Sequence, residues 1–301
     1  METWILITVS AAFLQNIRSS LQKHLKNVMG TSGATFVRFG FGIPFALFFL
    51  AIFMYWGDHS FPELNQDFFF WVVIAAVAQI LAQALLVHMF SYRNFAVGTA
   101  YSRTEPLQAA LFGLLFLSEK ASSAVLSAIA ISMFGVMLIS VARTDITPKS
   151  IFTSLYSRTA LIGLSSGAIF GVAAVAYRAA SLSLDGPNFI IQAAITLSIA
   201  IILQSIIMIV WIYWRDRAEI ARIKAAWKTG LLVGLVGASA SFGWFMAMTL
   251  QQAALVKAVA QIEMIFTFIS SVFIFKEQIN RIEVIGCLLI ISGIIALVLG
   301  G

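Results

Sequence analysis

The sequence predicts an all-helical polytopic membrane protein, with ten transmembrane helices built as two inverted five-helix repeats. Three observations carry that prediction. Of the 301 residues 60% are hydrophobic and only 11% are charged, too little polar surface to cover a water-soluble fold of this size. Apolar windows of roughly 20 residues, the length that crosses a bilayer, follow one another along the chain. Anchor residues recur at a constant offset of 158 positions.

The windows lie near 3–22, 32–56, 68–90, 94–117, 121–142, 159–182, 188–214, 229–250, 252–275 and 282–299. Two connections are longer and polar, Arg143 to Arg158 and Arg215 to Lys228, and the first of them divides five spans from five. The expected organisation is a first repeat over 1–142, a connecting loop over 143–158 and a second repeat over 159–301. Under the offset Glu105 falls on Glu263, Glu119 on Glu277, Gly135 on Gly293, and Tyr55-Trp56 on Tyr213-Trp214. An odd number of helices per repeat inserts the second copy in the opposite sense. The loops on one side of the spans hold 13 of the 19 Lys and Arg, those on the other only Lys120. The basic side is expected to be cytoplasmic, which puts both termini outside.

The net charge of +6 has the same origin and calls for no nucleic-acid partner. A single cysteine, Cys287, excludes a disulfide framework, and His24, His59 and His88 are too scattered to build a metal site. Neither a metal nor a cofactor is expected. Glu2 and the lack of a small-residue cleavage site speak against a removable signal segment. Trp56, Trp211, Trp214 and Trp227 fall at span ends, where an interfacial belt sits.

Five basic residues remain inside the spans, Arg18, Arg38, Arg103, Arg178 and Lys257, joined by two acids, Glu105 and Glu263. A charge at the bilayer centre costs at least about 2.5–3.5 kcal/mol, so it normally faces a water-filled cavity or a partner. The two glutamates lie near the midpoints of their spans at equivalent repeat positions. Two readings are open: buried ion pairs that lock helices, or a midplane binding site at the repeat interface. Arg18 and Arg178, nearer span ends, read as snorkelling residues. Pro106 cannot donate to the Ser102 carbonyl, so the fourth span is expected to bend there and expose backbone. Arg103 and Glu105 are about 200° apart around a helix and need partners from other helices. Tyr101 and Gln108 share the Glu105 face; Lys257 and Gln261 share a stripe different from that of Glu263.

Gly163, Gly167 and Gly171 form a small-residue ridge in the sixth span. The same stretch, GLSSG, matches a hydrolase nucleophile elbow around Ser165, but a helix interior without a Ser-His-acid set favours packing over catalysis. Gln83 shares a face with Gln79 in the third span, and Trp244 lies beside Phe242 and Phe245 in the eighth. The candidate substrate-binding residues are therefore Glu105, Glu263, Arg103, Arg38, Lys257, Tyr101, Trp244 and Gln83. Intramembrane base exceeds acid, which favours a substrate bearing an anionic group, with the glutamates holding an ammonium or titrating.

With these features the chain resembles the EamA family of the drug/metabolite transporter superfamily. The matching residues are Pro106 and Glu119, spaced Pro-x12-Glu, with Gly135 in the first repeat, then Glu277, Gly286 and Gly293 in the second. The resemblance spans residues 3–299. It departs at Ser118 and Lys276, where the family often has glycine before the loop glutamate, at Ala128, the counterpart of Gly286, and at Met264, the counterpart of Pro106. Glu119 and Glu277, at the membrane edge, read as capping residues rather than substrate ligands. The resemblance implies a secondary transporter of the bacterial inner membrane that exports small metabolites, amino-acid-like or otherwise polar or amphipathic. It would work by alternating access around a central cavity between the repeats. Nucleotide-sugar or phosphate-ester exchange is the alternative within the superfamily, and an integral-membrane enzyme the alternative outside it. A small-molecule substrate and the lipid bilayer are the expected partners. No Walker loop is present, so ATP is not the expected energy source, and proton coupling is left open. The family's habit of cytoplasmic termini runs against the charge count.

Overall fold

The computed structural model describes residues 2–25, 28–57, 61–89, 101–141, 158–185, 188–273 and 280–300, and every regular element among them is a helix. In chain order these are α1 (Thr3–Leu25), α2 (Thr31–Gly40), α3 (Ile43–Gly57), α4 (Gln66–Met89), α5 (Glu105–Leu117), α6 (Ser123–Val141), α7 (Arg158–Leu182), α8 (Phe189–Arg215), α9 (Ala218–Ala225), α10 (Trp227–Leu250), α11 (Ala253–Val259), α12 (Ile262–Phe273) and α13 (Arg281–Gly300). Lys26, His59, Arg93, Arg143, Lys149, Lys276 and Glu277 lie outside the described residues.

Seven helical stretches are long and apolar enough to cross a membrane, and the protein is a multi-pass integral membrane protein. Large apolar side chains such as Phe13, Phe70, Leu115 and Leu288 are exposed along their lengths, as contact with lipid requires. Trp211, Trp214 and Trp227 are exposed at helix ends. Ten continuous spans are not what the structure describes. The first, α1, is long enough at 23 residues, but its part from Gln15 to His24 is largely polar.

The fourth and ninth spans are each interrupted. Helical residues Tyr101 and Ser102 give way to a turn at Arg103 and Thr104 before α5 begins, and Ala260 and Gln261 separate α11 from α12. Both interruptions close with i to i−3 bonds. Thr104 N–H donates to the Tyr101 carbonyl at 3.1 Å; Gln261 N–H donates to the Ala258 carbonyl at 3.2 Å and Glu263 N–H to the Ala260 carbonyl at 3.0 Å. Pro106 accounts for the first, since it lacks an N–H and sits within the opening turn of α5. Met264 imposes nothing of the kind, so the second break corrects the expectation of an unbroken ninth span. The second span also tightens at Phe41 and Gly42, where Gly42 N–H donates to the Phe39 carbonyl at 2.9 Å.

The helices assemble into two compact units, each drawing on both halves of the sequence: residues 1–77 with 176–250, and residues 78–175 with 251–301. In the first unit α10 is the spine. Gly230, Gly234, Gly237, Ser241 and Trp244 recur at spacings of four and three, one stripe down the helix. The stripe seats the end of α2 and α1 closely: a Cβ at Gly234 would stand 2.3 Å from the Phe41 carbonyl oxygen, and one at Gly237 3.3 Å from Arg18 Cδ.

The short helix α9 closes one end of this unit. Glu219 is 2% exposed and its carboxylate accepts from Gly33 N–H at 3.1 Å while pairing with Arg222. It supplies the N-terminal cap of α2 that Gly30, lacking a side chain, cannot.

In the second unit α6 and α13 cross with their backbones touching. A Cβ at Gly135 would lie 2.6 Å from the Gly286 carbonyl oxygen and one at Gly286 2.7 Å from that of Gly135, while Gly293 faces the Ala128 carbonyl at 2.8 Å. The ridge on α7 packs against the broken fourth span, where a Cβ at Gly167 would stand 2.8 Å from the Ser102 carbonyl oxygen. Ser166 donates to the Ala82 carbonyl at 3.0 Å, whereas Ser165 is exposed on the helix surface. The GLSSG stretch is thus a packing surface.

Candidate functional site

The two breaks place their charges together in the second unit. Glu105 stands in the first turn of α5 and Glu263 in the first turn of α12, each at the positively polarised end of its helix. Lys257 stands in the last turn of α11, at the negatively polarised end of that helix. Lys257 Nζ lies 2.8 Å from Glu105 Oε1, and Arg103 Nη1 lies 3.8 Å from Glu263 Oε2. Each acid is therefore matched by a base from the other sequence half, as the angular separation of Arg103 and Glu105 demands.

The two pairs differ in strength. A separation of 3.8 Å exceeds hydrogen-bond range, so the Arg103 contact is purely coulombic. Side-chain exposure is 22% and 20% for the Lys257 pair and 30% and 12% for the Arg103 pair. Ion pairs screened to that degree contribute about 0–1 kcal/mol. They are cheap to open.

Uncharged acceptors flank them. Gln108 donates through Nε2 to Thr104 Oγ1 at 2.7 Å, yet its Oε1 is buried without a hydrogen-bond partner, as is Gln261 Oε1. A buried carbonyl oxygen left unmatched costs about 1–3 kcal/mol, which an incoming donor relieves. Sequence reasoning named Gln108 and Gln261 for their stripes only; the turn at 260–261 that carries Gln261 has no local signal.

Other predicted residues fall elsewhere. Tyr101 is packed with Val141 and Ala160 against Met137 and Leu164, and Gln83 is half-buried on α4. Arg38 and Trp244 belong to the first unit. There Arg38 Nη2 lies 3.5 Å from Ser241 Oγ, and Trp244 Nε1 donates to Gln15 Oε1 at 3.1 Å. Neither Arg18 nor Arg178 snorkels. Arg18 is buried, and Arg178 Nη1 caps the end of α10 by donating to the Met248 and Thr249 carbonyls. Glu119 closes the end of α5 through its backbone, its N–H donating to the Gly113 carbonyl at 3.1 Å, and its carboxylate lies beside Gly113. Among the described residues no cluster of His, Cys, Asp and Glu is able to hold a metal. A largely apolar groove in the first unit, lined by Phe36, Phe41, Ile209, Ile220 and Lys224, contains none of the predicted residues.

The family model of the EamA-like transporters matches the chain twice, over residues 2–141 and 157–299. A solved crystal structure of a protein of unstated activity shares the fold with a TM-score of 0.75, at 15% identity over 99% of this chain and 96% of that one. Among curated proteins no relative matches.

Proposed function

This chain belongs to the EamA-like transporter family, and we propose that it is a secondary transporter exporting small polar or amphipathic metabolites of amino-acid type across the bacterial inner membrane. The observation behind this reading is the crossed pair of salt bridges between the interrupted fourth and ninth spans, Lys257 with Glu105 and Arg103 with Glu263. A zwitterionic substrate carries the same two charges as each pair. Its ammonium competes for Glu105 and Glu263 and for the unmatched oxygens of Gln108 and Gln261, and its carboxylate competes for Arg103 and Lys257. The exchange replaces one set of ionic contacts by another, so the charges stay compensated throughout. The wider Arg103–Glu263 contact opens first.

Because every partner comes from the opposite sequence half, substrate binding exchanges contacts between the repeats 1–142 and 159–301, joined by 143–158, for contacts to the substrate. Alternating access follows if one state makes the pairs and the other breaks them. A glutamate whose cation has been withdrawn also takes up a proton more readily, which gives proton coupling a route.

Counterflow in proteoliposomes tests the reading, with panels of amino acids, nucleotide sugars and phosphate esters. An amino acid is expected to exchange, and Glu105→Gln, Glu263→Gln, Arg103→Ala and Lys257→Ala are each expected to lose at least tenfold in rate at unchanged expression. Full activity in all four variants removes the assignment, and exchange confined to nucleotide sugars or phosphate esters replaces the substrate class.

A further inference from the structure

We propose that Arg18 and Arg38, in the first unit, form a binding site for a small oxyanion: the carboxylate or phosphate group of a water-borne solute. The proposal does not depend on the four charges of the second unit, and its test reads binding rather than transport.

The two arginines come from α1 and from the last turn of α2, and are 6% and 7% exposed. They meet at the glycine stripe of α10. A Cβ at Gly237 would stand 3.3 Å from Arg18 Cδ and 3.5 Å from Arg38 Cγ, so the missing side chain makes room for both stems. Arg38 lies in the electrostatic field of Arg18. A guanidinium keeps its proton under all ordinary conditions, and two of them brought together out of water repel.

The protein supplies no compensating charge to Arg38. Its neighbours are the Ser241 hydroxyl at 3.5 Å, the face of the Phe39 ring at 5.1 Å and the Tyr177 phenol, which also accepts from Gln204 at 3.0 Å; all three are uncharged at neutral pH, and Arg38 Nε is buried without a hydrogen-bond partner. Among the described residues no carboxylate pairs with it. The buried carboxylate of this unit, Glu219, is committed to Gly33 N–H and Arg222. A buried cation with neutral neighbours is sustained by an anion from outside the chain.

The chemistry selects the kind of anion. Two planar forks of N–H donors match the paired oxygens of a carboxylate or phosphate, whereas a spherical halide satisfies few of them. Both residues lie seven positions inside the ends of their helices, Leu25 and Thr31, about 10 Å along the axis, deeper than lipid headgroups ordinarily sit. Uncharged polar side chains continue from the pair along α10 and α1. Ser241 is one turn before Trp244, whose indole N–H donates to Gln15, one turn before Arg18.

Trp244 is thereby a built-in reporter. In nanodiscs of phosphatidylcholine, at constant ionic strength in potassium chloride, titration with inorganic phosphate or acetate is expected to change tryptophan emission saturably. The change should vanish in the reporter control Trp244→Phe and weaken at least tenfold in Arg38→Gln and Arg18→Gln. Ser241→Asp places a carboxylate beside Arg38; it should raise the melting temperature without ligand and abolish the response, a readout that survives if the arginine variants fail to fold. The proposal is overturned by no saturable response to either anion, by equal responses in the arginine variants, by a lower melting temperature in Ser241→Asp, or by a response that requires phosphatidylglycerol in the bilayer. The last outcome assigns the site to a lipid headgroup.

Discussion

At Ser118, just past the end of α5, the backbone turns left-handed, with φ 54° and ψ 25°. A side chain there costs about 1 kcal/mol against glycine, because Cβ approaches the following carbonyl. The same left-handed turn lets Glu119 N–H reach the Gly113 carbonyl. Ser118→Gly is expected to raise stability by about 0.5–1 kcal/mol and Ser118→Val to lower it, read as thermal unfolding in detergent; a lower melting temperature for the glycine variant contradicts the account. The charged residues behave differently. Since Glu105 and Lys257 are about a fifth exposed, Glu105→Gln should cost no more than about 1 kcal/mol of stability while removing most transport. A loss of stability equal to that of a core truncation, with transport intact, identifies the pairs as helix locks. The spacing of Arg103 and Glu105 made a partner from elsewhere legible in the sequence; which base met which acid was not, because Lys257 and Arg103 do not occupy equivalent repeat positions.

Among the elements, the broken spans show where sequence reasoning stops. Pro106 announces the first break by its missing N–H, but Ala260 and Met264 are ordinary helix formers, and α11 and α12 would propagate through them by local preference alone. The 158-residue offset was the available pointer: carrying the proline's consequence from one copy to the other locates the second turn within one position. Packing between helices is more readable. The α6–α13 crossing rests on Gly135 and Gly286, and Gly286→Ala would put a methyl group 2.5 Å from Ile139 Cγ1 and 2.7 Å from a carbonyl. Forcing these backbones apart is expected to cost about 1–3 kcal/mol, measured by thermal unfolding. The cap on α2 offers a sharper test. A methyl group at Gly33 would stand 2.2 Å from Glu219 Oε1 and displace the carboxylate that caps the helix. Gly33→Ala and Glu219→Ala should each cost about 1–3 kcal/mol, and the double variant little more than either, since both remove the same bond. Full additivity shows that Glu219 is not the cap.

For the whole molecule, the offset, the composition and the charge asymmetry were enough to read a duplicated membrane protein. They did not reveal that the compact units mix helices of both halves, because contacts between distant spans leave no periodic mark in a chain this uniformly apolar. The connections nevertheless touch in a pattern that bears on insertion. The start of α2 meets α9 through Gly33 and Glu219, the segment before α4 meets the turn after α7 through Asn65 and the Ser183 carbonyl, and the segment before α11 meets the segment after α5 through Gln252 and the Lys120 carbonyl. Each contact joins connections that the predicted order of spans puts on one face. The first pair carries Arg215, Arg217, Arg222, Lys224 and Lys228 nearby, whereas the other two pairs hold Lys120, so the positive-inside rule assigns the Glu219 face to the cytoplasm. In a Cys287→Ser background, Lys120→Cys should therefore react with an impermeant maleimide in intact cells, and Lys224→Cys only after permeabilisation. Reporter fusions after residues 150 and 220 should both read cytoplasmic. Labelling in the opposite sense inverts the protein and shows that family habit outweighs loop charge; fusions on different faces break the two-repeat order itself.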